Sequence, residues 1–214
     1  MESKIYKLYL NLLQKCGSPK EYWLQWCKKG KTSSDREIIA IGAILTQRTS
    51  WRNAELALEN LKKAELLSFG KIAELERSET LVPYVRVAGF YQSKPKKLFE
   101  LCKFIEVFEG VKGFGEYAKK NLEKAREDLL SLYGIGPETA DTILLYAFDK
   151  PSFVVDEYTK RLVKKEELAT DLSYDNLKNL FEKNLPVNTE IYQNFHALVI
   201  FSQKEKSRWG MKVV

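Results

Sequence analysis

The stretch LYGIGPETADTILLYAF, residues 132–148, places two glycines around a single isoleucine and then continues with a proline and an amphipathic run. Gly134 and Gly136 can take positive φ angles that other residues resist, and Ile135 between them can anchor a turn. Pro137 suits the first position of a new helix. The pattern therefore predicts a tight hairpin between two helices.

A hairpin of this kind is a natural surface for an anion. The first turn of a helix leaves backbone N–H groups without helical partners, and the helix dipole favours negative charge there. Such amides can hold a phosphate without reading base sequence. We therefore expect a contact with a nucleic acid backbone, although an isolated GxG is more often an ordinary turn between helices.

Helical periodicity dominates the rest of the chain, and strand-like alternation is nearly absent. Apolar residues recur at three- and four-residue spacing in the segments 37–47, 52–67, 94–108, 119–132 and 138–148. Glycine-rich residues 110–116 predict a break, and Ser34 or Asp35 predicts the cap of the first of these helices. The sequence therefore predicts an all-α protein.

Composition points to a folded protein with a modest excess of positive charge. The chain has 214 residues, of which 44% are hydrophobic, and a net charge of +6. This charge favours a polyanionic partner only weakly, since many proteins share it. No apolar run approaches the roughly 20 residues that span a bilayer, and the N-terminus reads as an amphipathic helix. We expect a cytoplasmic protein that does not bind membranes.

The cysteines and the single histidine give no support to a disulfide scaffold or a metal site. Cys16, Cys27 and Cys102 are an odd number without a close CxxC pair. This spacing suggests neither a disulfide scaffold nor a cysteine-rich metal site. His196, the only histidine, lies in the apolar run NFHALVIF and is expected to be a packed helix residue rather than a ligand or a base. We therefore predict no metal site, zinc included.

Four segments in sequence order resemble one family. The hairpin stretch and VVDEYTKRL at 154–162 resemble the helix-hairpin-helix motif and following aspartate of the endonuclease III superfamily of DNA glycosylases, the HhH-GPD proteins. Upstream, IGAILTQRTSWRNAELALENL resembles the LLSxQT region of that family, and VRVAGFYQSKPKKLFELC its GLYxxKAxxI segment. The resemblance covers about residues 37–162 and implies double-stranded DNA with damaged bases as the partner.

The resemblance also implies a fold with two helical lobes. A barrel subdomain would comprise residues 30–148 and end in the helix-hairpin-helix motif at about 121–148. Residues 1–29 and 149–214 would form the second subdomain. A monomer is expected.

Asp156 stands where the family has its catalytic aspartate. Cleaving a base from its sugar gives oxocarbenium-like charge at the anomeric carbon, which a nearby carboxylate can stabilise while water attacks. An aspartate directly before a helix can also be its cap, and both roles can coexist. Bifunctional relatives carry a lysine in the pattern GxGxKTA, whose amine forms a Schiff base. Glu138 occupies that position, so the nucleophilic route is missing there.

A second departure from the family pattern concerns the iron–sulfur cluster. Typical endonuclease III proteins bind it through a C-terminal cysteine quartet, whereas the tail FHALVIFSQKEKSRWGMKVV has no cysteine. The chain therefore looks most like the cluster-lacking bacterial 3-methyladenine glycosylases. The resemblance implies no cofactor, except that a monovalent cation often binds at the hairpin.

The other site residues follow from the same resemblance. The hairpin would hold the DNA backbone through Gly134, Ile135, Gly136, Glu138 and Thr139. The gap left by the everted base would be filled by Gln47, with Phe90 as the wedge, although a core aromatic is the equal alternative for Phe90. Base-pocket candidates are Tyr22, Trp23, Trp26 and Trp51, each of which could instead pack in the core. Backbone contacts are expected from Lys94, Lys96 and Arg161, with Lys97 in the same basic cluster.

The sequence thus predicts a monofunctional base-excision glycosylase acting on 3-methyladenine or another alkylated purine. One alternative is a bifunctional endonuclease III-like glycosylase and lyase that acts on oxidised bases and uses another lysine. The other is a DNA-structure-binding module that uses the hairpin without catalysis.

Overall fold

The computed structural model describes residues 3–21 and 23–204, apart from the side chains of residues 24 and 25. Throughout these residues the regular secondary structure is helical and includes no strand, which confirms the all-α fold class. The chain forms two compact units, Gly30–Lys150 and Met1–Lys29 with Pro151–Val214. Each helix within the described ranges is too short or too polar to cross a bilayer.

The helices differ widely in length. In chain order they are α1 (Lys4–Cys16), α2 (Leu24–Cys27), α3 (Ser33–Leu45), α4 (Trp51–Lys63), α5 (Phe69–Ala73), α6 (Val82–Val85), α7 (Ser93–Glu106), α8 (Gly110–Lys120), α9 (Leu122–Ser131), α10 (Pro137–Thr142), α11 (Glu157–Lys165), α12 (Tyr174–Asn184) and α13 (Thr189–Gln203). Short 3₁₀ turns lie at Pro19–Glu21, Ser78–Leu81 and Arg86–Ala88, and a π-helical turn at Ile143–Ala147 continues α10.

Helix α3 is central to the unit of Gly30–Lys150. It is buried without interruption from Ile39 to Leu45, because α4, α7 and the π-helical turn all pack against it. A capping box begins the helix: the Asp35 N–H donates to Thr32 Oγ1 at 3.2 Å, and the Thr32 N–H donates to Asp35 Oδ2 at 2.7 Å. The cap is therefore Thr32, and the prediction of Ser34 or Asp35 was wrong by two or three residues.

Helix α8 occupies residues 110–116, where the sequence predicted a break. Three glycines lower the helix propensity of this stretch, but tertiary packing overrides that preference. Gly113 permits a close approach, since a Cβ there would lie 1.6 Å from the carbonyl oxygen of Phe108. Phe114 then packs its ring 5.4 Å from Phe108 and 4.7 Å from Phe148, between ring centroids.

Helix α13 is central to the other unit. It is buried from Tyr192 to Ile200 and packs against α1 and α11. An aromatic cluster lies beside it: Phe153 stacks on Phe181 with centroids 4.4 Å apart, and Phe195 of α13 lies 5.5 Å from Phe181. Phe153 belongs to the buried segment 152–156 that leads into α11, so this cluster positions the chain as it enters that helix.

Candidate active site and nucleic-acid interface

The residues between α9 and α10 form the predicted hairpin. Gly134 has a left-handed backbone with φ of +72°. The Ile135 N–H donates to the carbonyl of Leu132 at 3.2 Å, and the Ile135 side chain is buried. Gly136 then caps α10. The local pattern of glycines and a single apolar residue was therefore sufficient to predict this turn.

The start of α10 suits an anionic ligand. Because its cap is Gly136, no side chain there accepts a hydrogen bond from the N–H groups of the first turn. The helix dipole adds partial positive charge at the same end. Glu138 lies in that first turn, where a carboxylate is compatible with the dipole. A phosphate approaching this surface would meet backbone donors.

Gln47 joins the end of α3 to the hairpin. Its Nε2 donates to the Gly134 carbonyl at 3.2 Å and to Thr139 Oγ1 at 2.9 Å. Its Oε1 accepts from Lys97 Nζ at 2.6 Å. Three hydrogen bonds thus hold this amide against protein groups, and the predicted gap-filling role requires that they be exchanged for contacts with DNA.

Lys97 also packs beneath the hairpin. A Cβ on Gly134 would lie 2.3 Å from Lys97 Cε, so the glycine is required for space as well as for its backbone angle. Partial burial, and then the charge of Arg48, lower the pKa of Lys97. The aliphatic part of Lys97 therefore lies directly against the turn.

Phe90 lies at the exposed tip of a loop. Its side chain is 54% exposed, which excludes the core alternative, and its φ is +48°. Lys94 holds this loop in place, because its Nζ donates at 2.7 Å to the carbonyls of Leu45 and Ala88. Phe90 is thus an apolar side chain presented outward from a supported loop, as the wedge prediction requires.

Lys94 does not lie where a phosphate contact was predicted. The side chain is completely buried, and burial, followed by the charge of Lys97, lowers its pKa to about 8. Its amine is already bonded to two carbonyls, one of them at the C-terminal end of α3, where positive charge is favourable. The prediction of a backbone contact was wrong for Lys94, whose role is to support the Phe90 loop.

Asp156 caps α11 with one carboxylate oxygen and leaves the other for a different contact. Its Oδ1 accepts hydrogen bonds from the Thr159 N–H at 2.7 Å and from Thr159 Oγ1 at 2.9 Å. Its Oδ2 lies 3.5 Å from Nε2 of His196 on α13. The residue is 9% exposed, so this carboxylate is nearly enclosed.

The pKa of Asp156 lies below its ordinary value. Burial is the largest single influence and raises it, but the polar and charge interactions with His196 and the two hydrogen bonds from Thr159 together outweigh burial. The carboxylate is therefore ionised at neutral pH although it is buried. A negative charge held in a poorly solvated position is suited to stabilising positive charge that develops during a reaction.

Comparison with protein families decides the classification. The family model described as HhH-GPD superfamily base excision DNA repair protein matches residues 41–187, which include the Gln47 turn, the hairpin and Asp156. The chain belongs to the HhH-GPD superfamily.

Relatives and solved structures agree with this family. A Methanocaldococcus jannaschii protein, provisionally named as a DNA repair glycosylase, is 42% identical over 202 residues, covering 92% of this chain and 85% of its own length. The crystal structure of the H. pylori 3-methyladenine DNA glycosylase MagIII bound to 1,N6-ethenoadenine superposes with a TM-score of 0.76. Its sequence is 27% identical, and the match covers 100% of both chains. A non-covalent endonuclease III–DNA complex shares the fold at 16% identity, with a TM-score of 0.68 over 97% of this chain and 92% of that one.

The aromatic pocket candidates of this HhH-GPD protein fall in different places. Trp23 and Trp26 stack with centroids 5.6 Å apart, and Phe201 packs edge-on to Trp23 at 5.8 Å. These residues belong to the same unit as Asp156, whereas Trp51 begins α4 in the other unit. Tyr22 lies outside the described residues.

The remaining basic candidates are exposed. Lys96 holds its Nζ 4.4 Å from the centroid of the Tyr133 ring, beside the hairpin. Arg161 lies on α11 with its guanidinium carbon 5.2 Å from the centroid of the Tyr158 ring. Both side chains are therefore accessible to solvent, and their contacts with a DNA backbone stay predictions.

Sequence reasoning missed two pairings that shape the site. It treated His196 as a packed residue, which its burial supports, but did not place it beside Asp156. It also overlooked Arg126 and Asp141, which form an ion pair between α9 and α10. Opposite charges on the two helices that flank the hairpin could have predicted the pairing of Arg126 with Asp141. The contact between His196 and Asp156 depends on the packing of α13 against α11, which no local sequence pattern predicts.

Proposed function

We propose that this chain is a monofunctional glycosylase that hydrolyses the N-glycosidic bond of an alkylated purine, 3-methyladenine above all, in double-stranded DNA. As a member of the HhH-GPD superfamily it is a DNA glycosylase of base excision repair. The proposal of hydrolysis without strand cleavage depends on the identities of Asp156 and Glu138. The first supplies an ionised, buried carboxylate, and the second stands where bifunctional relatives have a lysine.

Asp156 would act on the sugar of an everted nucleotide. The transition state carries oxocarbenium-like charge at the anomeric carbon, and a carboxylate in a poorly solvated position stabilises that charge. The electrons of the C–N bond leave with the base while the oxygen of a water molecule bonds to the anomeric carbon. Asp156 would accept the proton that this water loses. The product is an abasic site with an intact backbone.

A cationic base can leave without a general acid, so a single carboxylate is sufficient for this hydrolysis. Alkylated purines such as 3-methyladenine carry positive charge, so the base departs as a neutral molecule without protonation by a general acid. Positive charge also favours stacking against electron-rich rings. Trp23, in the unit of Asp156, supports such a pocket, whereas its stacking partner Trp26 is 5% exposed and packs in the core. The likeness to a 3-methyladenine glycosylase supports the same substrate class.

Glu138 is the reason for proposing hydrolysis without strand cleavage. A Schiff base requires a neutral amine at the sugar, and a carboxylate cannot form an imine. Lys94 has a lowered pKa, but its amine is enclosed and bonded to the carbonyls of Leu45 and Ala88. It is therefore an unsuitable replacement nucleophile.

The proposed enzyme works as a monomer and without an iron–sulfur cluster. Its cysteines are Cys16, Cys27 and Cys102, and the C-terminal region that carries the cysteine quartet in typical endonuclease III proteins has none. Cys27 and Cys102 are buried, and in different units. These residues do not fit a cluster site. A monovalent cation at the hairpin carbonyls remains part of the proposal.

Two assays on the same preparation test the proposal. Chromatography of bases released from methylated duplex DNA should show 3-methyladenine, with the phosphodiester backbone left intact until alkali is added. Borohydride added to abasic-site DNA and enzyme should give no covalent adduct. A trapped adduct would contradict the monofunctional mechanism and support the lyase alternative. Binding of abasic DNA with no base release from methylated, oxidised or mismatched duplexes would support the non-catalytic module.

A further inference from the structure

His196 on α13 and Asp156 before α11 are adjacent within one unit although 40 positions separate them in the sequence. His196 Nε2 lies 3.5 Å from Asp156 Oδ2, and the side chains are 6% and 12% exposed. The contact is longer than an ordinary hydrogen bond, so a small movement of the carboxylate would tighten it. Both polar groups are nearly enclosed, so each is the other's close polar neighbour.

The two oxygens of Asp156 have different tasks. Oδ1 accepts both Thr159 hydrogen bonds and is thereby committed to capping α11. Oδ2 is the oxygen that remains for the reaction, and His196 is the group placed against it. Of the two side chains, the carboxylate is the more exposed, at 12% against 6% for the imidazole.

We propose that His196 is a positioning residue that orients Oδ2 of Asp156 for the glycosidic reaction and keeps the carboxylate from turning away from it. The inference rests on the proposed catalytic role of Asp156 and adds a second residue to that machinery. The lowered pKa of Asp156 supports it, because His196 counteracts the effect of burial. The imidazole acts through the carboxylate and takes no part in bond making.

Three substitutions of His196 differ in whether they keep a hydrogen-bond donor near Oδ2 of Asp156. The amide nitrogen of glutamine lies the same number of bonds from Cα as Nε2 of histidine, whereas that of asparagine corresponds to Nδ1. His196→Gln can therefore keep a donor near Oδ2, and His196→Asn cannot. His196→Phe keeps the ring and removes both nitrogens. A role in packing alone would favour the phenylalanine, and a polar positioning role would favour the glutamine.

The test measures single-turnover release of 3-methyladenine from methylated duplex DNA, together with DNA affinity and thermal stability. We expect His196→Phe and His196→Asn to lower the release rate by about ten- to a hundredfold, as misplacement of a catalytic group does. DNA affinity should stay within about twofold of wild type, and His196→Gln should recover most of the rate. If His196→Phe does not fold, the comparison of the Gln and Asn variants still decides the question.

The outcomes separate this inference from the proposed function. If Asp156→Asn abolishes release while His196→Phe keeps the wild-type rate, Asp156 is catalytic and the positioning role is refuted. Equal rates for the Gln and Asn variants would also refute it, because position of the donor would then be irrelevant. If Asp156→Asn releases base as fast as wild type, the proposed function itself fails.

Discussion

Arg126 of α9 donates two hydrogen bonds to the carboxylate of Asp141 on α10, from Nε to Oδ1 at 2.8 Å and from Nη2 to Oδ2 at 3.1 Å. Asp141 is fully buried and Arg126 is largely so. The pair joins the helices on either side of the hairpin, and its planar geometry fixes their mutual orientation. The hairpin is therefore stabilised by the Arg126–Asp141 ion pair between its flanking helices as well as by the buried side chain of Ile135.

Removing one partner of this pair should destabilise the protein strongly. Arg126→Met leaves a buried carboxylate without its guanidinium, and such losses cost about 3–5 kcal/mol. Urea unfolding measures the change. Because the double variant Arg126→Met with Asp141→Leu removes both charges, it should regain part of the loss. A single variant as stable as wild type would show that the pair does not hold the hairpin.

Gly134 and Gly136 should respond differently to the same substitution. Gly134→Ala places a Cβ on a left-handed backbone and against Lys97, which should cost about 1–2 kcal/mol for the backbone alone. Gly136→Ala meets open space at an extended backbone, so it should cost only what alanine loses as a helix cap, about 0.5–1 kcal/mol. Urea unfolding of the two variants provides the comparison, and equal losses would contradict the described turn.

Phe90 should matter for base eversion and little for folding. Its exposed ring predicts that Phe90→Ala leaves the free energy of unfolding nearly unchanged but lowers base release from duplex DNA about tenfold or more. The adjacent Tyr91 is also exposed and offers a matched control. If Tyr91→Ala slows release as much as Phe90→Ala does, the wedge assignment is wrong.

Stability should depend on pH through Asp156. Its folded-state pKa is lowered, so ionisation favours the folded state above the unfolded-state pKa of about 3.9, and this contribution is lost as pH falls through the lower folded value. His196 and Thr159 are the groups that lower it. Because asparagine is also a good helix cap, Asp156→Asn removes the charge and keeps a capping residue at the start of α11.

Urea unfolding of wild type and Asp156→Asn at several pH values checks this dependence. The stability advantage of wild type should therefore be present at about pH 6 and shrink towards about pH 3. An advantage that grows with acidity would contradict the direction of the pKa shift.

Local patterns predicted the parts of this fold that depend on near neighbours. The hairpin could be predicted because its conformation depends on neighbouring residues, a glycine with a left-handed backbone and a buried isoleucine beside it. The cap at Asp156 was readable for the same reason. Helix α8 was missed because contacts with Phe108 and Phe148 compensate for its glycines, and those contacts come from tertiary packing.

The charged residues of the site were harder to predict. A lysine near a helix start usually faces solvent, yet Lys94 is drawn inward by two carbonyls on other segments. The contact between His196 and Asp156 depends on how α13 packs against α11. The sequence could name Asp156 from its motif, but only the fold could show what surrounds it.

The most direct measurement compares single-turnover release of 3-methyladenine from methylated duplex DNA by wild type, Asp156→Asn and Glu157→Gln. Glu157 is the exposed neighbouring carboxylate and controls for a change of charge at this helix start. Asp156→Asn should lose at least about a hundredfold in rate while its DNA affinity stays near wild type, and Glu157→Gln should remain active. Release by Asp156→Asn at the wild-type rate would contradict the assignment of this carboxylate as the group that drives hydrolysis.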